Sequence, residues 1–61
     1  MAQITTKELG TLGDAMAVEE SLVAKCRYYA AKTDDADLKA KYEQIADRHQ
    51  RHFDTLYSHV Q

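Results

Sequence analysis

The 61-residue chain contains no proline and no tryptophan, one cysteine and two glycines. Without proline nothing forces a break in a helix, and with only Gly10 and Gly13 few tight turns can be built. Helix-forming Ala, Glu, Lys, Leu and Gln are abundant, so the composition is all-α. Cys26 has no second cysteine to pair with, which rules out an intrachain disulfide and suits a reducing compartment. No run approaches the roughly 18–20 apolar residues of a membrane span, and the opening MAQITTKELG has no apolar signal core. The expectation is a cytoplasmic protein with no membrane partner. A charge of one sign is missing too: eight basic and ten acidic residues give a net −2, spread along the chain. With no basic block, no nucleic-acid partner is expected. Neither a Gly-rich phosphate loop nor a Ser-His-Asp arrangement exists, so no catalytic residue and no organic-cofactor motif is assigned.

What is present reads as one domain, residues 1–61, built from two helices. Thr5 to Glu8 has the form of a capping box, and Thr11 to Asp14 offers a competing start. The two glycines each cost about 1 kcal/mol inside a helix, so the first turns are expected to fray or begin late. The first helix is predicted over about 6–32. KTDDAD then supplies a turn at 33–35, with Asp34 or Asp35 as the next N-cap, and the second helix is predicted over about 36–59. The result is an antiparallel two-helix hairpin.

Steps of three and four trace a seam through Leu9, Leu12, Met16, Glu19, Val23, Cys26 and Ala30 on the first helix. On the second they pass through Leu38, Tyr42, Ile45, His49, His52, Leu56 and His59. Leu22, Tyr29, Ala46, Phe53 and Val60 widen the apolar face. A chain this short cannot cover such a face alone, and the simplest remedy is a two-fold homodimer forming a four-helix bundle, or a higher oligomer of the same hairpin. Tyr28, Tyr29, Tyr42 and Tyr57 suit the margins of that interface.

Three polar residues interrupt the seam at one height. Glu19 lies 14 residues before Thr33 and His49 lies 14 residues after Asp35. At 1.5 Å per residue both stand roughly 20 Å from the turn, with His52 about one turn further along. Two readings stay open. The layer is either a hydrogen-bonded device that fixes register, or a metal site with Glu19, His49 and His52 as ligands, suited to zinc or iron. His59 is read as an exposed or end-packing residue, and Cys26 as a small buried hydrophobe.

From Glu8 to Leu56 the chain resembles the small spore coat protein F-like proteins of endospore-forming bacteria. The resemblance rests on the acidic pair Glu19 and Glu20, on Lys25, on Tyr28-Tyr29-Ala30, on the Asp-rich turn, and on IADRHQRHFDTL. More widely the pattern is similar to the ferritin-like superfamily, in which a helical Glu faces a Glu-x-x-His pair in a four-helix bundle. The resemblance implies a ferritin-like half-bundle, a homodimer and a link to sporulation. This chain departs from the superfamily in carrying His49 where that pattern has Glu, which leaves too few carboxylates for a di-iron oxidase centre. The expected function is a structural or interaction role without turnover. The alternative is a metal-binding protein with weak redox activity.

Overall fold

A computed structural model describes residues 3–61, so the first two residues of the 1–61 hairpin lie outside it. Two helices, α1 (Thr6–Lys32) and α2 (Ala36–Tyr57), make up the described chain, with no strand among the described residues. None of the described helices is long and apolar enough to cross a membrane.

The capping box at Thr5 sets the start of α1. The Thr5 hydroxyl accepts from the Glu8 backbone N–H at 3.1 Å, and the Glu8 carboxylate accepts from the Thr5 backbone N–H at 3.2 Å. Two of the amides left unpaired at a helix start are thereby satisfied. The competing start is not used: Thr11 lies inside the helix, its hydroxyl donating to the Lys7 carbonyl at 3.1 Å. Both glycines are carried through in helical conformation, neither with positive φ.

The Thr5 hydroxyl, and after it the Thr5 backbone N–H, hold the Glu8 carboxyl below its ordinary pKa. A depressed carboxyl favours the fold above its unfolded pKa, and that contribution is lost as pH falls through the lowered value. Thr5→Ala should therefore weaken the acid dependence of folding as well as the fold itself. The expected loss is about 1 kcal/mol in a denaturant titration at neutral pH, the usual cost of removing a threonine cap.

Thr33–Asp35 reverse the chain. Asp35 caps α2, its Oδ1 accepting from the amides of Asp37 at 2.9 Å and Leu38 at 3.0 Å. The Lys39 Nζ reaches back across the turn to donate to the Ala30 carbonyl at 3.1 Å. At the other end α2 stops at Tyr57, two residues short of the predicted end. His59 and Val60 donate to Leu56 and Tyr57, three residues back, so the last turn tightens.

The helices meet along a line of small side chains. Val23, Ala30 and Ala46 are the buried residues, and Ala46 is fully enclosed, with 0% exposure. Around them Leu12, Met16, Leu22, Cys26, Tyr42, Phe53 and Leu56 are half-buried. The expected seam therefore needs correcting on α2. Leu38 and Ile45 are exposed, and Ala46, predicted only to widen the face, is its centre. The physical reason is closeness of approach: alanines let two helix backbones come together, and bulky side chains are displaced to the flank. Leu9 is likewise exposed, and Cys26 is half-buried rather than buried.

The two sides of the hairpin differ. One is polar, carrying the Arg27–Asp47 ion pair at 3.8 Å and the Lys39 contact to Ala30. The ion pair is well exposed at both ends and contributes little to stability. Within α2 an i,i+4 ion pair joins Lys41 and Asp37 at 3.9 Å. On the other side Val18, Leu22 and Tyr29 of α1 lie along the same edge as Leu38 and Ile45 of α2. Tyr29 and Tyr42 bridge the helices there, ring centres 5.5 Å apart.

Candidate functional site

Glu19, His49 and His52 converge at mid-height. Glu19 comes from the inward stripe of α1, and the two histidines, three residues apart, stand one above the other on a single face of α2. His49 Nδ1 lies 2.6 Å from Glu19 Oε1, a short charge-assisted hydrogen bond in which the imidazole donates to the carboxylate. His52 Nδ1 stands 3.3 Å from the other carboxylate oxygen, Oε2. The two imidazole rings meet edge to face, centres 5.5 Å apart. One carboxylate thus faces two ring nitrogens, one on each oxygen.

Exposure grades across the three. The side chains of Glu19 and His49 are 19% and 23% exposed, and that of His52 is 51% exposed. The reason is rotational: His49 shares the side of α2 that holds Tyr42, Ala46 and Phe53, whereas His52 follows Leu38 and Ile45 onto the apolar edge. The group therefore opens on that edge, where His52 stands half in solvent.

Among the described residues, Glu19 pairs with no lysine or arginine. Its neighbour Glu20 is exposed, and Asp47 is engaged by Arg27 on the polar side. His59 is exposed beyond the end of α2, lining an open apolar groove with Ile4, Leu12 and Leu56. The three residues singled out in the sequence are thus the three brought together, and no further acidic side chain joins them among the described residues.

Three donor atoms, one from each residue, lie within 4.8 Å of one another. A tetrahedral zinc with bonds of about 2.0–2.1 Å separates its ligands by about 3.3 Å, so the 2.6 Å His49–Glu19 pair would open slightly and any wider pair close to hold such an ion. A ferritin-like di-iron centre is different. It draws on a Glu from each of two helices and a Glu-x-x-His pair from each of the other two. Here a single carboxylate stands with two imidazoles, and that donor set does not fit a di-iron centre.

Compared with known proteins, the chain matches no family model, no curated protein and no solved structure.

Proposed function

We propose that the chain is a structural hairpin that pairs with a second copy of itself into a four-helix bundle, without turnover of its own. The observation that carries this reading is that the fold is a single layer. Its Cα extents are 47 × 17 × 11 Å, one helix thick, whereas stable domains pack at least two layers around a core. The radius of gyration, 14.4 Å, compares with about 10.5 Å for a compact domain of this length and about 14 Å for one of twice the length.

Surface area supports a second copy as the occupant. The accessible surface is 4782 Å², against about 4,000 Å² for a folded monomer of this mass. The surplus, about 800 Å², equals one partner's share of a standard protein interface. The apolar edge along Val18, Leu22, Tyr29, Leu38 and Ile45 continues past His52 to the groove of Leu12, Ala15 and Leu56 at the open end. A two-fold axis through that edge would cover both copies alike. The resemblance to spore coat F-like proteins is in keeping with a homodimeric, ferritin-like half-bundle and a place in a spore-associated assembly.

Sedimentation equilibrium of the full chain at micromolar concentration and neutral pH tests the reading. The expected weight is twice the chain mass of 6.9 kDa. A fully helical protein sedimenting as one chain across that range would overturn it.

A further inference from the structure

We propose that Glu19, His49 and His52 form a mononuclear site for one divalent transition-metal ion of the zinc class per chain, with one coordination position left open toward the apolar edge. All three ligands come from one hairpin, so the site needs no second copy; in a pair built on the apolar edge the partner would cover the open position.

Four observations lead to it. The first is the donor set. Two imidazoles and one carboxylate suit a borderline-soft cation such as zinc, and three protein ligands with a free fourth position are the pattern of open zinc sites. The second is convergence. The donor atoms lie within 4.8 Å of one another although Glu19 and His49 are 30 residues apart in sequence, so the fold and not local chain geometry assembles them.

The third concerns what neutralises the carboxylate. Its partners among the described residues are two imidazoles, 2.6 and 3.3 Å away, and no lysine or arginine. A permanent cation at this place would repel a metal ion, whereas a neutral imidazole can yield its contact to one. The short His49–Glu19 hydrogen bond stands where two metal bonds would form, and binding would move the bridging proton from Nδ1 to the other nitrogen of the neutral imidazole, freeing Nδ1 as a ligand. The fourth is adaptability. His49 and Glu19 are held between the helices, while His52 is half in solvent and can swing to close the triangle.

Cobalt(II) is the probe, because tetrahedral coordination gives it a strong visible absorption that the hexa-aquo ion lacks. The full chain, stripped with EDTA and gel-filtered, is titrated with cobalt chloride at pH 7.5 and then with zinc chloride. One cobalt per chain with tetrahedral bands, displaced stoichiometrically by zinc, is expected. Glu19→Gln and His52→Gln should each weaken binding by more than the roughly 10–100-fold that losing an outer partner costs a metal site. His52→Gln is the safer of the two for folding, since that side chain is half exposed, and circular dichroism checks the fold of both. His59→Gln and Cys26→Ser should leave the spectrum unchanged. Absence of tetrahedral bands in the folded wild type overturns the proposal. So does wild-type affinity in a folded His52→Gln chain, or loss of the bands in either control. Sedimentation in EDTA, run in parallel, reports on pairing separately: a metal-free dimer that takes up no cobalt would leave the proposed function standing and this site refuted.

Discussion

Ile45→Glu is expected to leave a helical hairpin that sediments with the mass of one chain. Ile45 sits on the apolar edge of α2 and is exposed in the single hairpin. At 38% exposure the position lets a glutamate carry its charge into water at the cost of some apolar contact within the hairpin, and glutamate is a better helix former than isoleucine. Helix content should therefore hold. In the proposed pair the same position is covered. Burying one unpaired carboxylate costs several kcal/mol, and two-fold symmetry introduces two of them. Each 1.4 kcal/mol is a factor of ten, so a micromolar dimer losing about 4 kcal/mol would dissociate about a thousandfold more readily. Ala17→Glu, on the outer side of α1 away from α2, is the matched control and should sediment like the wild type. Equal dissociation by both substitutions would mean that added charge, not the apolar edge, governs pairing. A dimeric Ile45→Glu chain would move the interface to another face.

Much of this architecture could be read from the residues, and what was misread or missed has separate physical causes. Thr5 with Glu8, in competition with Thr11, and Asp34 or Asp35 before Asp37 marked the helix starts because capping is local chemistry, and the structure uses Thr5 and Asp35. The convergence of Glu19 with His49 and His52 could be counted from the turn, since helical rise is fixed and the connection is only Thr33–Asp35. The rotation of each helix about its own axis was not legible. A hydrophobic stripe weighted by side-chain size points toward Leu38 and Ile45, whereas the actual contact is made by Ala30 and Ala46, which contribute little apolar area but permit close approach. That rotation is also what exposes His52 while half-burying His49. Arg27–Asp47 was invisible for another reason: counting from the turn puts the two residues about 9 Å apart in height, and the reach of both side chains, not level contact, joins them. The end of α2 had no signal at all, as neither glycine nor proline follows Tyr57.

Gly10→Ala combined with Gly13→Ala should raise the melting temperature by about 8–16 °C. Both glycines lie inside α1 with ordinary helical backbone, and neither φ is positive. A Cβ built on either meets nothing within 4 Å, so the added methyls create no clash. What they remove is unfolded-chain entropy, about 0.8–1.0 kcal/mol at each helical glycine. For a domain of this size each kcal/mol moves the midpoint by about 4–8 °C, and the two sites together supply about 2 kcal/mol. Pairing does not change the ratio, because a dimer carries both substitutions twice over twice the residues. It does make the midpoint depend on concentration, so the melts must be compared at one chain concentration. The single variants divide the gain. Gly13 lies between half-buried Leu12 and Met16 and should yield its full share, while Gly10, nearer the start and outside that contact, yields its share only if the first turns melt with the rest. A double variant gaining no more than Gly13→Ala alone would show that the Thr5 cap holds a segment that opens on its own.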